Sequence, residues 1–194
     1  MTSYLRLANV PEKFQEIGNE PVDESLPSLE DGRWIFFFGP AGCGKTHRAV
    51  QMLHAHLTRT GRPEPTAWRP WHHAPRPKPG ASFVDWSLFL DEKRRFFSDP
   101  DEDAEDPSER VVKNDKLVVL DDVGSERTTD FAIDSFNVAI SARYNEFRPT
   151  IITSNLTLDD VARVYGNRIA SRIREVAMVV DQSGTDWRIR KGMR

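Results

Sequence analysis

Residues 39–46 of this 194-residue chain read GPAGCGKT, and this stretch decides the fold. The eight residues fit the pattern G-x4-G-K-[ST], in which glycines let the backbone N–H groups of a loop point towards a phosphate. The loop follows the apolar run WIFFF (34–38) and precedes a segment without proline or glycine up to Gly61. A buried strand, a glycine-rich turn and a helix are therefore expected in that order.

The lysine and threonine of this loop indicate binding of ATP with Mg²⁺. Lys45 is predicted to neutralise the outer phosphates, and the Thr46 hydroxyl is predicted to reach the metal ion. The plain alternative is a glycine turn that binds nothing. Cys43 is interpreted as a small filler rather than a reactive thiol, since no histidine or second cysteine stands at a useful spacing. The residues expected to contact the nucleotide are Gly39, Pro40, Ala41, Gly42, Cys43, Gly44, Lys45, Thr46 and His47.

A second apolar run ends in two carboxylates. Residues 117–122 read LVVLDD, and ligands of open α/β sheets bind where the strands end. Asp121 is therefore predicted to hold Mg²⁺, directly or through water, and Asp122 to orient or activate the attacking water. Taken alone, two adjacent acids fit a solvated turn equally well, and the loop at 39–46 is what favours a binding site.

Apolar runs and helical periodicities alternate along the chain, which predicts an α/β fold with a parallel sheet covered on both faces. One P-loop ATPase domain is expected over residues 31–194, after an extended leader over residues 1–30. Irregular loops are expected at 61–80, which is rich in proline, and at 98–114, which is rich in acids. Beyond residue 80, strands are predicted at 82–84, 117–120, 150–153 and 176–180, and helices at 86–97, 129–147, 158–165 and 167–175.

Composition narrows the class of protein. The formal net charge of -3 gives no global reason to bind nucleic acid, so such binding would need a local basic patch. The start of the chain lacks the pattern of a secretory signal, and no run approaches the roughly 18 apolar residues of a membrane span. The single cysteine excludes an internal disulfide framework. A cytoplasmic protein without a membrane segment is expected.

Four stretches stand in the order seen in AAA+ ATPases of the DnaC helicase-loader and IstB transposition-helper type. They are residues 39–46, LVVLDDVGSE (117–126), RPTIITSNL (148–156) and YGNRIASRIRE (165–175), and VPEKFQE (10–16) resembles the leader of that family. The resemblance spans about residues 5–190. It implies an AAA+ fold, ATP hydrolysis, and action on DNA together with a replicative helicase or a transposase.

The resemblance also implies roles for one asparagine and one arginine. Asn155 resembles the polar sensor that contacts the γ-phosphate or the attacking water, because an amide can both donate and accept. Arg172 resembles the arginine finger that one subunit inserts into its neighbour's ATP site, with Arg168 and Arg174 as rivals. Surface or salt-bridging arginines are the plain alternative. A finger supplied in trans requires a repeated head-to-tail contact, so a homo-oligomeric ring or open spiral would follow.

Residues 92–97, EKRRFF, mix cations with aromatic rings. Together with the resemblance they favour binding of single-stranded DNA through Lys93, Arg94 and Arg95. An amphipathic helix explains the same sequence without DNA binding. In that alternative the three cations face water, and the apolar side chains lie in the core, namely those of Leu88, Phe89, Phe96 and Phe97. Four residues of the proline-rich loop fit a binding surface and loop packing equally well, namely Trp68, Trp71, His72 and His73.

The chain also departs from the family pattern. A separate helicase-binding domain and a helical lid domain are expected to be absent, with Arg188 as a candidate substitute for an arginine of the lid. Many AAA+ proteins have glutamate where Asp122 stands, and the shorter side chain predicts slow hydrolysis that DNA or a partner stimulates. Two other functions are considered: a non-hydrolysing adaptor switched by ATP, and a small-molecule P-loop kinase, against which Asn155 and Arg172 argue.

Overall fold

A computed structural model describes residues 5–6, 8–21, 29, 33–60, 80–99, 106–112 and 116–184. The strands are β1 (Trp34–Phe38), β2 (Ala81–Asp85), β3 (Leu117–Val123), β4 (Thr150–Ser154) and β5 (Ala177–Asp181). They form one sheet in the order β2-β3-β4-β1-β5, and every neighbouring pair is parallel. The carboxyl ends of all five strands therefore lie along one edge of the sheet.

The helices are α1 (Glu12–Gln15), α2 (Lys45–Arg59), α3 (Trp86–Ser98), α4 (Glu109–Val112), α5 (Asp130–Asn145), α6 (Leu158–Tyr165) and α7 (Asn167–Val176), with a 3₁₀ turn at Glu16–Asn19. Several of them begin at a side chain that caps the free backbone N–H groups. Asp85 caps α3 by accepting from the backbone N of Leu88 at 3.1 Å, and Thr157 and Asp160 form a capping box at the start of α6.

Strands β1 to β4 are buried on both faces of the sheet, whereas β5 at its edge is partly exposed. Trp34 and Phe36 of β1 pack in a cluster with residues of α3, α5, α6 and α7, whereas Ile35 and Phe37 pack in a second cluster with α2 and the leader. Successive side chains of a strand point to opposite faces, so both faces must be apolar, which explains the uninterrupted run 34–38. Among the described residues, no helix is long and apolar enough to cross a bilayer.

The predicted α/β fold with a parallel sheet is confirmed. Each strand and helix predicted between residues 34 and 181 is present, and their ends differ from the predicted ones by no more than three residues. The largest difference is at β3, which continues beyond Leu120 to Val123. Polar Asp121 and Asp122 mask that continuation in the sequence, and the strand accommodates them by a shift in its pairing with β4.

The leader differs from the expected extended form. Its described part contains α1 and the 3₁₀ turn, and Leu5, Val10 and Ile17 are buried in the same cluster as α2. The backbone N of Phe83 donates to Ala8 O at 2.7 Å, which joins the leader to β2 at the edge of the sheet. Apolar residues too scattered to predict a helix thus form part of the domain core.

The acidic segment also departs from the prediction of an irregular loop over 98–114. Glu109–Val112 forms one helical turn, and Val111 is fully buried in the core. Residues 100–105 and 113–115 of that loop lie outside the described residues, as do residues 61–79 of the proline-rich loop with Trp68, Trp71, His72 and His73, and Arg188 near the end of the chain.

A fully buried arginine links these elements and has no counterpart among the predictions. Nε of Arg143 donates to Thr150 Oγ1 at 2.7 Å, and the other nitrogens donate to the carbonyl oxygens of Val111 (2.8 Å), Lys116 (2.8 Å) and Pro149 (2.7 Å). Burial lowers the pKa of Arg143 to about 9. The side chain thereby fixes α5 against α4 and the starts of β3 and β4.

Replacing Arg143 by methionine should lower the free energy of unfolding by about 3 kcal/mol or more, because the carbonyl oxygens of Val111 and Lys116 lose this donor. The carbonyl oxygen of Pro149 keeps a second donor, the backbone N of Val118. Urea denaturation measures this change. The matched control is Arg163→Met, whose side chain is 75% exposed and pairs only with Asp160 at the surface. That control should stay within about 0.5 kcal/mol of the parent chain. Equal effects of the two substitutions would contradict the structural role of Arg143.

Candidate nucleotide-binding site

The glycine-rich loop joins β1 to α2 at the carboxyl edge of the sheet. Gly44 precedes the first residue of α2 and has a φ of 95°, a left-handed conformation that costs other residues about 1 kcal/mol. Helix α2 then runs for 15 residues. Its N-terminal N–H groups and the positive end of its dipole therefore face the loop, which suits an anion.

The ammonium group of Lys45 lies inside the curve of this loop. Lys45 is 6% exposed, and Nζ donates to Gly39 O, Pro40 O and Asn155 Oδ1, each at 2.8 Å. All three donors are used on neutral oxygens, and no carboxylate of the described residues pairs with this charge. The structure therefore brings two of the predicted site residues together and leaves a buried cation for which a phosphate is a better partner.

Asp121 ends the regular part of β3 next to Thr46. The carboxylate is 6% exposed and accepts hydrogen bonds from Thr153 Oγ1 at 2.7 Å and from the Thr46 hydroxyl. Burial raises the pKa of Asp121 to about 6, the two hydroxyls oppose this shift, and the nearby Asp122 and Asp85 add to it. A buried carboxylate with this environment gains from a cation.

Magnesium fits this pair of oxygen ligands. Mg²⁺ prefers oxygen donors and is usually held by one or two carboxylates together with phosphate and water oxygens. Asp121 and Thr46 supply a carboxylate and a hydroxyl that already lie within hydrogen-bonding distance of each other. Within the described ranges no three His, Cys, Asp or Glu side chains come together, so the remaining ligands would come from phosphate and water.

Asp122 occupies a strained position in the bulge of β3. Its φ is 59°, a left-handed value that is uncommon for a residue other than glycine. The backbone N of Asp122 donates to Thr153 Oγ1 at 2.9 Å, and its carboxylate accepts from Asn155 Nδ2 at 3.3 Å. The bulge thus directs Asp122 towards Asn155 and, through it, towards Lys45. Strain of this kind is concentrated at functional sites.

Two further side chains of the site were not predicted. Thr153 donates to Asp121 and accepts from the backbone of Asp122, so it fixes both acids with one hydroxyl. Ser125 Oγ accepts from Asn155 Nδ2 at 2.9 Å. Thr153 belongs to the apolar run of β4, and in the sequence it indicates only a strand. Its role in holding the two acids becomes visible through the parallel pairing of β4 with β3.

Two other residues of the predicted nucleotide contact have partners within the chain. His47 Nε2 lies 3.1 Å from Glu20 Oε2 of the leader, and Gln51 Nε2 donates to the same oxygen at 2.9 Å. Cys43 is 4% exposed, as expected of a small filler, and its Sγ lies 3.9 Å from Lys45 Nζ.

The three candidate finger arginines have different environments. Arg172 donates to Ser141 Oγ and lies over the ring of Tyr144, with its guanidinium carbon 5.2 Å from the centroid. Arg174 pairs with Asp159 at 3.2 Å. Arg168 is exposed and makes no hydrogen bond or ion pair with the described part of the chain. None of the three donates to the glycine-rich loop of its own chain.

The basic triplet of α3 packs partly against α5. Lys93 Nζ donates to Ser135 Oγ at 3.1 Å, and Lys93 and Arg94 both lie over the ring of Phe131, at 5.6 Å and 5.3 Å from its centroid. Arg95 is exposed.

The interpretation that places all four apolar residues of this helix in the core is wrong for two of them. Phe89 is buried, but Leu88 is 66% exposed and Phe97 is 60% exposed. The helix therefore has two apolar side chains exposed to solvent, where the sequence alone predicts only cations.

Replacing Asp121 by asparagine should change how stability depends on pH. Since the folded-state pKa of Asp121 lies above its ordinary value of 3.8, the folded protein binds this proton more tightly than the unfolded chain. The resulting stability is present below pH 4 and is lost as the pH rises through 6. In EDTA, the wild type should lose about 2 kcal/mol relative to Asp121→Asn between pH 4 and pH 7. Urea denaturation measures this difference, and a constant gap across the range would contradict it.

Comparisons with known proteins give structural neighbours only. No family model and no curated protein matches the chain. The DnaC helicase loader is 28% identical over 80% of this chain and 81% of its own, with a TM-score of 0.61. DnaI is 20% identical, covering 96% and 93%, with a TM-score of 0.57. The replication initiator DnaA bound to AMPPCP and single-stranded DNA is 18% identical, covering 88% of this chain and 45% of its own, with a TM-score of 0.56.

These neighbours agree with the resemblance carried by the four sequence motifs. The similarity is one of fold, and in this chain the fold is a five-stranded parallel sheet with a glycine-rich loop after β1 and acids at the end of β3. The chain accordingly has the AAA+ type of P-loop fold, and it is similar to the DnaC helicase loader and to domain III of the Thermotoga maritima replication initiation protein DnaA.

Proposed function

We propose that this protein is an AAA+ ATPase that binds Mg²⁺ and ATP and acts on DNA as a nucleotide-dependent homo-oligomer, in the manner of a helicase loader or a transposition helper. The observation that carries the proposal is the hydrogen-bonded set Lys45, Asn155 and Asp122, which lies beside the pair Thr46 and Asp121. These five side chains come from two strand ends and one helix start. Their chemistry is that of phosphoryl transfer.

Each side chain has a task in hydrolysis of ATP to ADP and phosphate. Lys45 neutralises the outer phosphates, and Thr46 and Asp121 hold Mg²⁺, which stabilises negative charge when bound. Asp122 accepts a hydrogen bond from the attacking water and orients it. Asn155 links the two halves, because its Oδ1 accepts from Lys45 and its Nδ2 donates to Asp122.

Hydrolysis is proposed to be slow in the isolated protein. Asp122 is one methylene shorter than glutamate, and its carboxylate is already engaged by the Asn155 amide. DNA or a protein partner would stimulate turnover by changing this contact. The same observation supports the second candidate, a non-hydrolysing adaptor that uses ATP only as a switch. Turnover measured with and without single-stranded DNA separates the two.

The partners belong to the same proposal. The similarity to the DnaC helicase loader and to DnaI supports a replicative helicase as partner, with a transposase as the alternative. The DnaA neighbour bound to single-stranded DNA supports a contact with that ligand. Arg94 and Arg95 are both exposed, although Arg94 also lies over the Phe131 ring of α5, and Lys93 donates to Ser135 of the same helix. A cytoplasmic place of action completes the proposal.

An arginine supplied by a neighbouring subunit is proposed to complete the ATP site. Arg172 remains the first candidate, and its guanidinium would have to leave Ser141 and Tyr144 to reach a second copy. Arg168 is exposed and would not have to leave a partner within the described part of its own chain. Either residue would make assembly depend on nucleotide, because the phosphate would bind two chains.

Lys45→Ala should weaken ATP binding by about tenfold or more and abolish hydrolysis, since the buried cation of the loop is removed. Isothermal titration with Mg²⁺ and ATP, together with release of phosphate, measures both effects. The matched control is Lys13→Ala, an exposed lysine of the leader, which should leave both unchanged. ATP binding and hydrolysis by Lys45→Ala at the wild-type level would contradict the proposed mechanism.

Mixing two inactive variants tests the arginine in trans. Asp122→Asn lacks the water-orienting acid, and Arg172→Ala lacks the finger, so about one in four of all interfaces in an equimolar mixture would contain both intact groups. ATP hydrolysis should therefore recover in the mixture. The same mixture with Arg168→Ala or Arg174→Ala identifies the finger, because only the variant that lacks it is inactive alone and rescued by mixing. Absence of recovery at every ratio would count against an arginine acting in trans.

A further inference from the structure

We propose that Glu126 is a positioning residue that couples the phosphate site to α6 and α7, the pair of helices that bears the three candidate arginines. The inference rests on the proposed function, since it concerns how ATP at Lys45 is sensed by those helices. Glu126 touches neither Lys45 nor Asp121. Its effect would pass through the loop that follows β3.

Glu126 accepts hydrogen bonds from three parts of the chain. The backbone N of Gly124 donates to one carboxylate oxygen at 2.8 Å, and Trp86 Nε1 donates to the other at 3.2 Å. The hydroxyl of Tyr165 donates to that second oxygen as well. None of these donors is cationic, and Glu126 forms no ion pair with a described residue. A half-buried carboxylate is therefore held by neutral donors alone.

One side of this arrangement leads to the phosphate site. Gly124 has a φ of 88°, and a Cβ there would lie 2.5 Å from a side-chain carbon of Leu156, so the loop passes close to the segment after β4. The next residue, Ser125, accepts from Asn155 Nδ2, and Asn155 Oδ1 accepts from Lys45. By fixing the backbone of Gly124, Glu126 fixes the position at which Asn155 meets this loop.

The other side leads to the arginines. Tyr165 is the last residue of α6 and is followed by Gly166, after which α7 begins. The Tyr165 ring packs on the Phe136 ring with their centroids 4.5 Å apart, and the Trp86 ring also packs on Phe136, with a centroid distance of 5.5 Å. Burial, followed by the hydrogen bond to Glu126, raises the pKa of Tyr165, so the phenol remains a donor. The end of α6 and the start of α7 are thereby tied to the loop after β3.

The charge of Glu126 is what makes this link strong. A carboxylate offers two acceptor oxygens, and hydrogen bonds to it are stronger than those between neutral groups. A glutamine would offer one acceptor and present an amide N–H₂ where the other oxygen stands. Movement of Asn155 on binding of a γ-phosphate would therefore be transmitted to α6 and α7 in full while the carboxylate is present, and in part by a glutamine.

The test compares hydrogen exchange of the full chain with and without Mg²⁺ and AMPPCP, which needs no hydrolysis. In the wild type, AMPPCP should slow exchange in residues 39–46 and change it in residues 158–176. In Glu126→Ala, the change at 39–46 should persist, whereas that at 158–176 should be lost. Tyr165→Phe should lose it in part. The matched control is Glu92→Gln, a surface acid paired with Arg110, which should behave as the wild type.

A kinetic reading accompanies this measurement. If ATP is hydrolysed, kcat of Glu126→Ala should fall roughly tenfold while KM changes by less than about twofold. The kcat of Glu126→Gln should lie between those of the wild type and Glu126→Ala. The inference is overturned if the 158–176 response survives in Glu126→Ala, or if binding and kcat fall in parallel as in a general loss of structure. If AMPPCP leaves residues 39–46 unchanged even in the wild type, the proposed function fails instead, and this inference fails with it.

Discussion

The candidate nucleotide-binding site depends on one buried cation placed at the carboxyl edge of a parallel sheet. Lys45 is held by the carbonyl oxygens of its own loop and by Asn155, which belongs to a different strand end. This contact requires β1 and β4 to be neighbours, and their parallel register supplies that requirement. Both strands are buried along their length, so packing on both faces of the sheet keeps their ends side by side.

The acids of β3 are arranged around the same constraint. Burial holds one proton on Asp121 up to a pH of about 6, and Thr153 fixes that carboxylate together with the backbone of Asp122. The bulge separates the two acids, so that one faces Thr46 and the other faces Asn155. Adjacent carboxylates with different surroundings are suited to different tasks, here a metal ligand and a group that orients water.

Sequence reasoning succeeds where local chemistry decides and fails where distant contacts decide. The strand at 34–38, the glycine turn and the helix from Lys45 follow from apolar runs and glycine positions, and they are present. The helical leader was not predicted, because its buried residues pack in a cluster with parts of the chain that are distant in sequence, among them β1, β2 and α2. Thr153, Ser125 and Glu126 likewise acquire their partners from strand pairing and loop packing, which no spacing along the chain reveals. The arginines are intermediate, since their helix is predictable but their partners are not.

The central claim is that the ammonium of Lys45 is a phosphate partner held ready by Asn155. The most direct measurement is a crystal structure of the full chain with Mg²⁺ and AMPPCP. The account predicts that Lys45 Nζ leaves the carbonyl oxygens of Gly39 and Pro40 for phosphate oxygens, with Mg²⁺ next to Thr46 and Asp121. Nucleotide bound elsewhere, or bound with Lys45 still on both carbonyl oxygens, would contradict it.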